Sequence, residues 1–257
     1  MALKLSSKRQ KRRRRVLATL GILFSLGLVA VLLYVPIFQI KGIEIQGAKH
    51  TGVAALQASI VPFIDGYRYG FIPNENIFLY ERKKIKDFVM REYPSVESID
   101  IRVDTSRTLI VHIKDRKPLG VWCSDQCYLY DTAGVLFKKS FTYTGALYVS
   151  WKRDGLKPLT LLDTVECVGL CTDVKFLEFL RSYRIEKAVI HDSTVDLWST
   201  DGYYIKSGLI ASTTMSHMKD VMDSRPGLLQ SLEYIDLRFE NKIFYRERGG
   251  GTSVDIE

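Results

Sequence analysis

Four cysteines have the clearest capacity for chemistry in this 257-residue chain. Cys123 and Cys127 form one C-x3-C, and Cys167 and Cys171 form a second. Two such pairs could give four thiolates to a zinc ion, close into disulfides, or stay as structural thiols. Outside a reducing cytoplasm disulfides are the commoner outcome. Four cysteines allow three connectivities, and spacing does not choose among them. C-x3-C also lacks the C-x-x-C spacing of thiol redox motifs.

The remaining candidates offer less. His50, His112, His191 and His217 share no metal-ligand spacing. No His-Glu-x-x-His, nucleophile elbow or phosphate-cradling glycine loop occurs. His112 falls on the polar phase of a strand pattern, which is the place of an exposed histidine. Asp131 and Asp236 sit in turn and sheet contexts rather than in a recognisable acid pair. The expectation is a protein with no catalytic residues, no metal and no cofactor or small-molecule substrate.

Charge separates the chain into two parts. Residues 1–15 hold eight Lys or Arg and no acid, and without them Lys+Arg and Asp+Glu balance at 29 each. The excess of +8 is therefore a feature of the tail, and a basic nucleic-acid surface on the rest is not indicated. Val16–Val35 follows without a charged side chain. Twenty helical residues span about 30 Å, the thickness of a bilayer's hydrocarbon core. A cleavable signal peptide has a shorter apolar core and a small-x-small site, and VLLYVPIFQ offers none. A single-pass membrane helix is expected over 16–37. The cations before it predict a cytoplasmic tail at 1–15 and an extracytoplasmic remainder.

Beyond the span the periodicities predict two α+β units and a short polar tail at 247–257. In 38–115 the predicted order is β-α-α-β-β, with the helices on one face of a small sheet. Ile43 and Ile45 alternate with polar residues, and the phase change from Phe38 and Ile40 predicts a bulge near Lys41–Gly42. A helix with Val53, Leu56 and Ile60 on one face should end at Pro62. A second, with Ile85, Phe88 and Val89, should stop before Pro94. Ile99, Ile101 and Val103, then Leu109, Val111 and Ile113, mark a closing hairpin. In 116–246 strands outnumber helices, predicting a mostly antiparallel sheet with two helices. One helix, capped by Thr172 or Asp173, carries Val174, Leu177 and Leu180. The other carries Met215, Met218, Val221 and Met222. In EYIDLRF, Ile235, Leu237 and Phe239 share one phase and should face the core.

Motifs in order along this frame resemble the FtsQ/DivIB family of bitopic bacterial cell-division proteins. They are Ile43-Glu-Ile-Gln-Gly47 after the span, Pro94-Ser-Val96 after the second helix, Thr108-Leu-Ile-Val111 leading to Arg116-Lys-Pro118, and Ile235-Asp-Leu-Arg-Phe239 near the end. The resemblance implies that 38–115 is a POTRA domain and 116–246 the family's β-domain. It implies a non-enzymatic scaffold of septation, linking other division-site membrane proteins, among them small bitopic coiled-coil proteins. The competing classes are a signal-anchored cell-wall enzyme and another POTRA-type assembly or transport component. The resemblance also puts the partner-binding strand at Asn241, Lys242, Ile243, Phe244 and Tyr245. There, a last strand covered only by the polar tail would offer unpaired N–H and C=O groups. The other reading of this strand is that Phe244 and Tyr245 cover the core.

Overall fold

The computed structural model describes residues 4–49, 51–141, 147–155, 157–167, 169–239, 242–250 and 254–256, with backbone alone for 4–9 and 254–256. The chain divides into two compact units, Met1–Asp115 and Arg116–Glu257.

The first unit opens with helix α1, Lys4–Tyr34. Its stretch Gln10–Tyr34 is long and apolar enough to cross a membrane. Thr19 and Ser25 inside it turn their hydroxyls back onto the helix, Thr19 to the Val16 carbonyl (2.8 Å) and Ser25 to that of Ile22 (2.9 Å). Neither of these two hydroxyls needs a partner from outside the helix, as a lipid environment demands.

Strand β1 (Gly42–Gln46), helix α2 (Val53–Ile64), the short strands β2 (Tyr67–Arg68) and β3 (Ile72–Pro73), helix α3 (Arg82–Glu92) and strands β4 (Val96–Val103) and β5 (Thr108–Asp115) follow. β1 lies parallel to β5, β5 is antiparallel to β4, and β2 and β3 form a separate hairpin. Leu56, Ile60 and Ile64 of α2 and Ile85 and Val89 of α3 close over Ile99, Ile101, Leu109, Val111 and Ile113 of the sheet. Several local expectations need correcting. α2 runs through Pro62 to Ile64, since a proline one turn from a helix end removes a single backbone donor. Val53, at the first helical position, is exposed rather than on the buried face. The phase change before β1 is no bulge: Pro36–Phe38 forms a 3-10 turn, and the sheet begins only at Gly42. Gly47 takes φ +85°, and a Cβ there would strike the Ile113 carbonyl, which explains the glycine after the strand.

The second unit contains β6 (Gly120–Cys123), β7 (Cys127–Tyr130), β8 (Leu136–Ser140), β9 (Ser150–Arg153), α4 (Val174–Ser182), β10 (Ile185–Ile190), β11 (Thr194–Ser199), β12 (Tyr204–Gly208), α5 (Ala211–Ser224), the single turn α6 (Leu228–Ser231), β13 (Leu232–Asp236), β14 (Ile243–Glu247) and β15 (Val254–Ile256). They form one sheet in the order β15-β14-β13-β12-β11-β10-β9-β6-β7-β8. It is mostly antiparallel, with parallel joins at β12/β13, β10/β9 and β9/β6. The two longer helices match the expected pair, and α6 is an addition. Asp173 caps α4, accepting the N–H groups of Lys175 (2.9 Å) and Phe176 (3.2 Å). The buried stripe of α4 is Phe176, Leu177 and Leu180, while Val174 points outward. Trp122, Trp151, Tyr130 and Tyr245 are the largest side chains sealed in this core.

Candidate partner-binding edge

The cysteines are closed in pairs. Cys123 and Cys127 face each other as register partners of β6 and β7, and their disulfide spans the hairpin. Cys167 and Cys171 form the second bond, buried in the core. The Tyr130 hydroxyl donates to the Cys171 carbonyl at 2.8 Å, and burial pushes that phenol's pKa far up. Among the described residues no group of three or more His, Cys, Asp or Glu could hold a metal ion.

His112 is exposed on β5. The His217 Nδ1 donates to the Leu237 carbonyl at 3.0 Å. His191 lies between Asp154 (3.0 Å) and Asp196 (3.2 Å). His50 lies outside the described residues. Asp131 accepts the N–H groups of Ala133 (2.9 Å) and Val135 (3.0 Å) and pairs with Arg116, so it organises the turn into β8. Asp236 accepts the Arg238 guanidinium in a bidentate pair, and this bond holds the Arg238 pKa above its ordinary value.

The region expected to bind a partner has a different anatomy from the one its sequence suggests. Asn241 lies outside the described residues, and Lys242 is exposed. Ile243 is half-buried against the core, and Phe244 is half-buried with its ring 5.3 Å from that of Phe239, edge-on. Tyr245 is 1% exposed. Its side chain is therefore a core element, as the core-covering alternative held. Phe239 was expected inward and is 46% exposed. β13 ends at Asp236, the Asp236 carboxylate accepts the Arg238 N–H at 3.2 Å, and the inward alternation stops at Leu237. The Arg238 guanidinium lies 5.5 Å from the Phe239 ring centroid, so Arg238, Phe239 and Phe244 form a cationic and aromatic lip beside β14.

The edge itself is not open. Ile256, Asp255 and Val254 of β15 pair antiparallel with Ile243, Phe244 and Tyr245. The polar tail thus supplies Val254–Ile256 as a further strand of the sheet.

One face of the sheet carries a row of register partners running Lys187, Trp198, Tyr204, Tyr234, Arg246 across β10 to β14. Lys187 sits 5.1 Å from the Trp198 ring, Trp198 and Tyr204 stack at 6.5 Å, Tyr204 and Tyr234 at 5.4 Å, and Arg246 covers Tyr234 at 5.4 Å. Each ring has a member of the row on the strand to either side of it. The row is a cross-strand clamp that fixes β14 against the strands behind it. Nothing in the sequence order announces this row, because its members become neighbours only through the pairing.

No protein-family model and no curated protein matches this chain.

Proposed function

We propose that this chain is a bitopic membrane scaffold of bacterial cell division, of the FtsQ/DivIB type, with its basic tail in the cytoplasm and residues 38–257 outside it. On this reading residues 38–115 are a POTRA domain, residues 116–246 are the β-domain, and other division-site membrane proteins dock on the β13–β14 end of the large sheet. The charge asymmetry around α1, the β-α-α-β-β order of the first unit and the Ile235–Phe239 motif support it. The observation that carries it is the lip of Arg238, Phe239 and Phe244 beside β14, a strand held rigidly in register by the aromatic row. A rigid strand with an aromatic and a cation at its margin suits β-augmentation, in which main-chain bonds supply affinity and alternate side chains specificity. Because β15 lies on that strand, a partner strand must displace it.

A photo-reactive amino acid placed at Lys242 or Phe239 of the full chain, in native membranes, tests this. Capture of small bitopic coiled-coil proteins is expected from both positions, and depletion of the chain should block septation while the cell continues to elongate. Normal septation after depletion, or capture confined to unrelated proteins, would overturn the reading.

A further inference from the structure

We propose that the segment Tyr67–Phe78 of the first unit is a membrane-docking surface, whose exposed aromatic side chains enter the headgroup layer beside the exit point of α1. The inference rests on α1 being a membrane span and is independent of the cell-division reading.

The segment is tied to the end of α1 by specific bonds. Asn76, 1% exposed, donates its side-chain N–H groups to the Leu32 carbonyl at 2.8 Å and to that of Leu33 at 3.3 Å. These are among the last carbonyls of the helix, which have no partner within it. The Asn76 Oδ1 accepts the Phe78 N–H at 2.9 Å. The Tyr34 hydroxyl donates to the Phe71 carbonyl. Beyond the helix, the Ile77 N–H bonds the Phe38 carbonyl and the Ile40 N–H that of Glu75, each at 2.8 Å. Leu32 is two residues from the helix end, about 3 Å along its axis. If α1 spans the bilayer, Asn76 lies at the level where the span leaves the hydrocarbon, and the segment around it shares that level.

What the segment presents there is apolar and outward. Tyr67 is 64% exposed, Tyr69 82%, Phe71 59% and Phe78 69%, with Ile37 next to the helix at 61%. Tyr69 forms the hairpin tip in a left-handed conformation, φ +54°, uncommon for an aromatic residue. The hairpin is braced from behind, where Arg68 donates to the Leu79 carbonyl and pairs with Glu81, each at 3.0 Å. The Arg107 guanidinium reaches the Pro36 carbonyl, which puts a cation at the same level. Aromatic rings with a cation among them are the side chains that favour the bilayer interface. In water the same cluster would be an unexplained apolar patch.

The test uses the full chain, disulfides intact, in vesicles of phosphatidylcholine and phosphatidylglycerol at low protein-to-lipid ratio. Single cysteines at Leu26, Tyr69, Phe78 and Lys114 carry an environment-sensitive fluorophore, and nitroxide lipids of shallow or deep label position act as quenchers. Lys114 is exposed near the far end of β5, roughly 20 Å along the strand from Arg107. The expected result is shallow-label quenching at Tyr69 and Phe78 about twofold or more above that at Lys114, with deep-label quenching at Leu26. Serine at Tyr67, Tyr69 and Phe71 together should abolish the excess at Phe78 and leave the fold intact, since all three are exposed. Quenching at Leu26 without excess at Tyr69 and Phe78 would overturn the docking surface alone. Absence of quenching at Leu26 would overturn the span, and the inference with it.

Discussion

Tyr245 on β14 stands directly opposite Ile235 on β13, and both side chains are buried in the core of the second unit. Its phenol oxygen is buried without a hydrogen-bond partner among the described residues. Tyr245→Ala should therefore cost about 3 kcal/mol or more, the usual range for emptying an aromatic site. Tyr245→Phe should leave stability equal or higher, because it removes a polar group that burial leaves unsatisfied. Denaturant unfolding of both variants checks the pair. A stable Tyr245→Ala would contradict the placement.

β15 sets a second expectation. A chain terminated after Gly250 loses its pairing to Ile243, Phe244 and Tyr245. Amide exchange over Ile243–Tyr245 should accelerate, and photo-capture through Lys242 should rise several-fold, since a partner no longer competes with the tail. Unchanged exchange and unchanged capture would show that the tail does not occupy this edge.

Gly120 is held to glycine by Tyr130. A Cβ at Gly120 would come within 2.6 Å of the Tyr130 ring, whose hydroxyl is anchored on Cys171. Gly120→Ala should destabilise the second unit by about 1–3 kcal/mol, as overpacking a filled core does. Pairing it with Tyr130→Phe should recover part of the loss. Thermal melting of the single and double variants measures this.

Mass spectrometry without reduction should find Cys123 linked to Cys127 and Cys167 to Cys171. Each closes a short loop, so each should add about 2 kcal/mol by constraint of the unfolded chain. Alanine at Cys167 and Cys171 should cost more than at Cys123 and Cys127, because Cys167 and Cys171 also fill the core. Four free thiols, or equal losses from the two pairs, would refute this.

Protease added to intact spheroplasts should digest 38–257 and spare the basic tail. Full protection of 38–257 would reverse the proposed orientation.

Elements whose evidence is local were legible along the chain. The uncharged run Val16–Val35 announces α1, the alternation Leu109–Val111–Ile113 announces β5, and Asp173 announces the start of α4, because each signal lies within one or two turns of the element it marks. The Ile235–Phe239 motif and the strand after it were legible in the same way, although the side to which Phe239 turns was not. The inward alternation stops at Leu237, beside the Asp236–Arg238 pair and two residues short of Phe239.

Everything that depends on which strands become neighbours had to come from the tertiary structure. β9 lies between β6 and β10 and parallel to both. The row from Lys187 to Arg246 joins five strands, and β15 lies on β14. Asn76 reaches Leu32 across 44 residues of chain. An isolated strand specifies its two faces through its alternation, but its edge bonds are the same N–H and C=O groups in every strand. The choice among edges is made by packing the whole core at once, so the sequence alone could nominate the Asn241–Tyr245 strand without showing that the chain's own tail pairs with it.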